Sequence, residues 1–236
     1  MIRHHDGISV VAQPLPAFQD DPCSRQPQGY PDAEAPQDVE EPGRFGIRVA
    51  LRLAGTRIVL EGRERLSDPR NTVVVANHQS HLDAPVLFQV LGIDLKAVAK
   101  KEVFRLPFFN RCLRYAGFIE VDRSDKAQSL AALSRAVGSL KAGNSFLVFA
   151  EGTRSRTGEL GDFKKGGFVV AMDAGSRIVP VALKGVRELM PRGGFRIRPG
   201  TVTVKVLDPV DAGSYSYTAR DLLVAEVRGR IAAALA

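Results

Sequence analysis

The sequence predicts an α/β fold, with a central mixed, largely parallel sheet flanked by helices in a single domain. Three observations predict it. Short apolar runs rich in β-branched residues alternate with stretches of helical periodicity. The chain has 236 residues, 44% of them hydrophobic and 25% charged, a balance that supports one sizeable core and argues against a wholly disordered chain. No window approaches the roughly 18 continuous apolar residues of a membrane span.

The elements follow in order. Residues 1–43 hold seven of the fourteen prolines and carry a net charge of −6, and they read as a disordered acidic tail. Residues 44–61 read as an amphipathic N-terminal helix with a lead-in strand. In the helical part, Arg44, Arg48 and Arg52 recur every four residues beside Phe45, Ile47, Val49, Leu51 and Leu53. Such a helix lies in a membrane interface or packs on the core with its arginines in water, and both readings stand. Residues 62–236 form the main domain. Its expected strands are Thr72–Ala76, Leu95–Ala99, Phe118–Val121, Ser145–Phe149, Ile178–Leu183 and the alternating, half-exposed Thr201–Val206. The clearest helices are Lys126–Lys141, Lys165–Ala174 and Thr218–Leu235.

The formal net charge is +7, and without the tail the rest of the chain carries +13. A body this basic attracts polyanions: nucleic acid, anionic lipid surfaces or phosphorylated substrates. Few aromatics and no nucleic-acid motif leave nucleic acid supported by charge alone. Cys23 and Cys112 show no metal or redox spacing, so the expectation is a reduced, intracellular protein without a structural disulfide. Ile8–Ala12, followed by Pro14 and Pro16, is too short for a signal-peptide core.

In α/β sheets, functional groups gather at the carboxyl ends of strands. After the Thr72–Ala76 run comes Asn77-His78-Gln79-Ser80-His81-Leu82-Asp83. If His78 precedes a helix and Asp83 lies in its first turn, the carboxylate can fix the imidazole tautomer and leave the other nitrogen to take a proton. Taken alone, the segment reads first as a capped helix start, with His78 a satisfied turn residue. A metal set of His78, His81 and Asp83 lacks a further histidine in the ordered body to complete it. After Ser145–Phe149 comes Glu151-Gly152-Thr153-Arg154-Ser155, where backbone N–H groups and a guanidinium can hold an anion. On its own it is also an ordinary surface loop.

Taken together, these segments resemble the 1-acyl-glycerol-3-phosphate acyltransferases and their glycerolipid acyltransferase relatives. Four blocks stand in the family order: the NHxSxxD-like Asn77–Asp83, a Gly-x-Ile-x-Val-x-Arg pattern at Gly117–Arg123, the EGTRS block at Glu151–Ser155, and Val179-Pro180-Val181-Ala182-Leu183. Ala99-Lys100-Lys101-Glu102 looks like the family's AK-x-E segment. The resemblance runs from Gly62 to Pro209. Two positions depart from it: Ala150 stands where the family usually has Pro, and Glu120 where an apolar residue is common.

The resemblance implies a glycerol-3-phosphate acyltransferase-like fold. It also implies acyl transfer from a thioester, acyl-CoA or acyl carrier protein, to the free hydroxyl of 1-acyl-glycerol-3-phosphate. His78 and Asp83 would be catalytic, with the base contributing about 10²–10⁴-fold. Arg123, Glu151, Gly152, Thr153, Arg154 and Lys100 would bind the acceptor. No metal or redox cofactor is implied, and the partners would be a lysophospholipid, the thioester donor and the cytoplasmic face of a membrane, held peripherally. Another lysophospholipid or a lyso-aminolipid remains an alternative acceptor. Thioester hydrolysis and a non-catalytic basic binder are readings of other classes.

Overall fold

Eight strands form one sheet in the computed structural model, which describes residues 42–105, 110, 113, 117–122, 124–194 and 196–236. The strands are β1 (Thr56–Glu61), β2 (Thr72–Ala76), β3 (Leu95–Lys100), β4 (Ile119–Val121), β5 (Ser145–Phe149), β6 (Arg177–Lys184), β7 (Gly200–Val206) and β8 (Val210–Asp211). Their order is β1-β7-β6-β2-β5-β3-β4, with β8 also pairing β6. The five strands β4, β3, β5, β2 and β6 run parallel. β7 and β8 run antiparallel to β6, and β1 runs parallel to β7. The sheet is therefore mixed and largely parallel, as the sequence predicts.

Helices cover both faces. The run Thr72-Val73-Val74-Val75-Ala76 is buried at every position, as a parallel strand covered on both sides must be. Val74 and Ala76 face Leu51 of α1 (Pro42–Leu53), Val86 and Leu87 of α2 (Asp83–Val90), and Val186 and Leu189 of α6 (Val186–Leu189). Val73 and Val75 face the opposite cluster. It contains Ala136 and Leu140 of α4 (Lys126–Lys141), Phe168 and Ala171 of α5 (Gly166–Asp173), and Leu223, Val227 and Ile231 of α7 (Arg220–Leu235). The four-residue spacing of that last trio is the helical repeat that puts one stripe on the core. A short helix, α3 (Lys101–Phe104), follows β3 directly.

Pro180 sits in the middle of β6, where a missing N–H would ordinarily break a ladder. On one side of β6 the partner changes at this residue: Ile178 pairs with Val210 of β8, and Val181 with Val206 of β7. The Pro180 carbonyl accepts from Leu207 N (2.9 Å). Amide and carbonyl of one strand residue share a side, so the absent donor faces Leu207, just past the end of β7, where the bond from Leu207 N closes the pairing.

α1 packs on the core through one side only. Leu51 is buried against the core, while Val49 and Leu53 are 37% and 84% exposed. Spaced four apart, those two share one stripe that faces away from the protein. Among the described residues, no helix is long and apolar enough to cross a membrane. The acidic tail expected over 1–43 lies outside the described residues, apart from Pro42 and Gly43, whose backbone opens α1. Cys23 and Cys112 lie outside them too. The last helix starts at Arg220, after a 3-10 turn over Tyr217–Ala219 that occupies the expected first residues.

Candidate active site

Three of the four sequence blocks meet at one end of the sheet, while the fourth, Val179–Leu183, is buried within β6. β2, β5, β3 and β4 are parallel neighbours, so their carboxyl ends lie side by side. Asn77–Asp83 follows β2, Glu151–Ser155 follows β5, Lys100 ends β3 and Asp122 follows β4. Arg123, the expected cation after β4, lies outside the described residues.

Asn77 anchors the start of the segment. Its side-chain amide donates to Leu183 O (2.9 Å) and accepts from Leu183 N (2.8 Å), adding one rung between β2 and β6. The chain then turns into α2, whose first residue is Asp83. His78 Nδ1 lies 2.7 Å from Asp83 Oδ2. Gln79 N and Ser80 N donate to the same oxygen at 2.6 and 2.8 Å. Asp83 is fully buried, whereas the His78 side chain keeps 21% of its surface exposed. The orienting carboxylate is thus sealed while the imidazole remains reachable. With a carboxylate on Nδ1, that nitrogen carries the proton and Nε2 presents its lone pair. Asp83 Oδ1 is buried and has no hydrogen-bond partner. Ser80 Oγ is engaged with Met190 O (2.7 Å) and Leu82 N (3.2 Å), which ties it into the turn.

The β5 end clamps His78 from other sides. Glu151 is 7% exposed. Its Oε1 accepts from His78 N (2.8 Å) and its Oε2 from Gly161 N (3.1 Å). Ser155 N donates to His78 O (2.8 Å), so both backbone polar groups of the histidine are held by one loop. The Phe149 ring stacks on the imidazole with centroids 4.0 Å apart and planes inclined by 15°. Gly152 makes the turn possible, because its φ of 73° is a left-handed conformation that side chains disfavour. Sequence reasoning placed Glu151 against the acceptor. The structure instead turns its carboxylate inward, onto two backbone amides. Phe149 gave no signal beyond being an apolar strand residue.

The cations of the site differ in exposure. Arg154 is half-buried, and its Nη1 is buried without a hydrogen-bond partner. Its carbonyl accepts from Arg192 Nη1 (3.1 Å). Thr153 and Lys100 are exposed. Neighbouring Lys101 pairs with Asp122, and with Ser124 this holds the Asp122 carboxyl down to about 2. His81 has an exposed residue surface, yet its imidazolium is disfavoured. Partial desolvation lowers it most, then the Arg154 and His78 charges, with Asp83 opposing. Among the described residues, no three His, Cys, Asp or Glu side chains converge as metal ligands. Chemically, the arrangement offers an oriented base beside an unneutralised guanidinium.

Comparison with known proteins fits this geometry. The acyltransferase family profile matches residues 57–184. A chloroplastic 1-acyl-sn-glycerol-3-phosphate acyltransferase of Arabidopsis thaliana is 36% identical over 178 residues, covering 75% of this chain and 48% of its own. A 1-acyl-sn-glycerol-3-phosphate acyltransferase of Borreliella burgdorferi is 33% identical over 140 residues, 59% of this chain and 56% of its own. The chain thus spans about half the length of these curated relatives. The crystal structure of the 1-acyl-sn-glycerophosphate acyltransferase of Thermotoga maritima superposes with a TM-score of 0.71 at 30% identity. That match covers 82% of this chain and 77% of the other.

Proposed function

The chain belongs to the acyltransferase family, and from that premise we propose that it moves a fatty acyl group from a thioester onto the free hydroxyl of 1-acyl-glycerol-3-phosphate, giving phosphatidic acid. The donor is acyl-CoA or acyl carrier protein, and the reading calls for no other cofactor. The observation that carries it is the His78–Asp83 contact of 2.7 Å, with the carboxylate sealed and the imidazole partly open.

The steps balance as follows. The acceptor hydroxyl gives its proton to His78 Nε2 as its oxygen attacks the thioester carbonyl. The tetrahedral adduct collapses, the new ester bond stays, and the C–S bond breaks. The departing thiolate takes the proton from Nε2, which restores the base. Asp83 stabilises the imidazolium in between, by the logic that serves hydrolase triads. The acceptor itself supplies the hydroxyl, so no acyl-enzyme is needed. The amides of His78, Gln79 and Ser80 are already committed to Glu151 and Asp83. Donors to the oxyanion must therefore come from elsewhere.

We assign the acceptor phosphate to Arg154, whose buried Nη1 lacks a partner, and take Arg123, Lys100, Gly152 and Thr153 from the family resemblance as its further contacts. Glu151 takes a positioning role instead. The exposed Val49–Leu53 stripe beside Arg52 supports peripheral contact with the cytoplasmic face of an anionic membrane.

The test is purified protein with acyl-CoA or acyl carrier protein and lysophosphatidic acid, products read by mass spectrometry, wild type against His78→Ala. Phosphatidic acid from the wild type and none from the variant supports the proposal. Product from His78→Ala at the wild-type rate overturns the base. Acylation of a different lysophospholipid or lyso-aminolipid in a substrate panel, with lysophosphatidic acid refused, overturns the acceptor. Free fatty acid released independently of any lysolipid overturns transfer itself.

A further inference from the structure

We propose that Phe149 is a positioning residue for the base, holding the plane of the His78 imidazole and favouring the positive ring that forms during transfer. The inference rests on the reading of His78 as the base. Phe149 ends β5, and the register sets it beside Ala76, the last residue of β2. His78 lies two residues further on, and the two rings meet face to face, 4.0 Å apart and inclined by 15°.

The Asp83 bond holds the ring at one edge nitrogen, Nδ1. The Nε2 lone pair lies in the ring plane, so any residual tilt of that plane redirects the base. A flat ring against one face restricts that tilt directly. The Asp83 bond and the backbone bonds from Glu151 and Ser155 restrain it only through the ring's edge and the main chain.

The same contact discriminates between charge states. The face of a benzene ring is electron-rich, so it attracts a cation more than a neutral ring. His78 gains its charge as the acceptor hydroxyl is deprotonated, and the contact therefore strengthens toward the transition state. The other groups around this ring are charged or chargeable. The Asp83 carboxylate, 2.7 Å from Nδ1, stabilises the positive ring from its edge. The Phe149 face does so from across the ring plane without itself carrying a charge.

The experiment replaces Phe149 with progressively fluorinated phenylalanines, which drain the π face at almost constant shape, and with Leu and Tyr. The expected result is a stepwise fall in kcat along the fluorinated series, with KM for donor and acceptor unchanged within about twofold. Phe149→Leu lowers kcat roughly two- to tenfold, and Phe149→Tyr retains it. In the NMR spectrum, the His78 ring protons move downfield in Phe149→Leu as the ring current disappears. A flat kcat across the fluorinated series overturns the proposal even if Phe149→Leu is impaired, because lost packing alone would explain that variant. His78→Ala is assayed alongside. If it stays active, the reading of the base has failed. If it is inactive while the series is flat, only this inference falls.

Discussion

The two ends of the sheet treat their charges in opposite ways. At the amino end of β2, cations meet carboxylates: Arg65 pairs with Asp208 (2.6 Å) and Glu64 (3.1 Å), and Arg70 with Asp68 (3.1 Å). At the carboxyl end the partners are separated. Asp83 and Glu151 turn inward onto backbone amides and an imidazole. Arg154, and Arg192, Arg196 and Arg198 of the β6–β7 loop, form no ion pair among the described residues. The exceptions are Lys101–Asp122, at the outer edge between β3 and β4, and Lys165–Asp221, beside the start of α5. The difference teaches that one end spends its charges on itself, while the other keeps positive charge available for an anionic ligand or surface.

The largest expected effect breaks the inward half of this comparison. All three donors to Asp83 converge on Oδ2, and Oδ1 is unpartnered. In Asp83→Asn the amide oxygen can occupy the Oδ2 position and leave the NH₂ where nothing is bonded now. The variant is expected to melt near the wild type while kcat falls by about 10²–10⁴, because a neutral amide cannot stabilise the imidazolium. Melting curves and steady-state kinetics read the two quantities separately, and a kcat within a few-fold of wild type contradicts the assigned role.

Glu151→Gln should come next. Both carboxylate oxygens accept from amides, and a glutamine offers only one acceptor oxygen. One buried N–H loses its partner, so denaturant unfolding should show a loss of about 1–3 kcal/mol, with a smaller drop in kcat as His78 loosens.

The outward half is sharpened by charge reversal. The Gly55 backbone lies against Pro199, and Gly200 N donates to Gly55 O (3.3 Å), so the loop carrying Arg196 and Arg198 adjoins the end of α1. Reversing both arginines to Glu should weaken co-sedimentation with phosphatidylglycerol vesicles by roughly 1 kcal/mol per charge or more at low salt, with the difference shrinking as salt is added. Equal binding by both proteins would show that these cations face something else.

The smallest effect belongs to the first of these exceptions, Lys101–Asp122. Asp122 is held to about 2 in the folded protein, below the ordinary 3.8. A depressed carboxyl contributes stability above its unfolded value and loses it as pH falls through the folded one. Wild type and Lys101→Met should therefore differ modestly in melting temperature above pH 4 and converge as pH approaches 2. A gap that persists at the acid extreme would mean that Lys101 acts through packing and not through its charge.

Most of the sheet is legible in the sequence because buried parallel strands leave continuous apolar runs, as Val73–Ala76 and Phe146–Phe149 do. β8 is not, since two residues, Val210 and Asp211, are too short to carry a pattern. His78 and Asp83 are legible as chemistry through the family block Asn77–Asp83, since taken alone the segment reads as a capped helix start. Glu151 is legible as an important residue but not in its direction. Whether a carboxylate faces a ligand or an amide depends on which backbone groups the fold brings near, here those of His78 and Gly161. Phe149 is invisible for a related reason: a strand-end aromatic announces burial, and only the neighbouring strand supplies the ring it covers. The β6–β7 arginines look like solvated loop charges until the sheet topology brings them to the end that carries the imidazole.

Pro180 has a consequence for folding fidelity. Its missing amide is harmless only where β6 exchanges β8 for β7 as its partner. Sliding β7 along β6 to the next in-phase alignment would move Pro180 from the end of the ladder into its middle, where the missing N–H leaves a ladder carbonyl unanswered. A single imino acid thus proofreads the height at which the returning strand docks, and with it the level at which the arginine-bearing loop rejoins the catalytic rim.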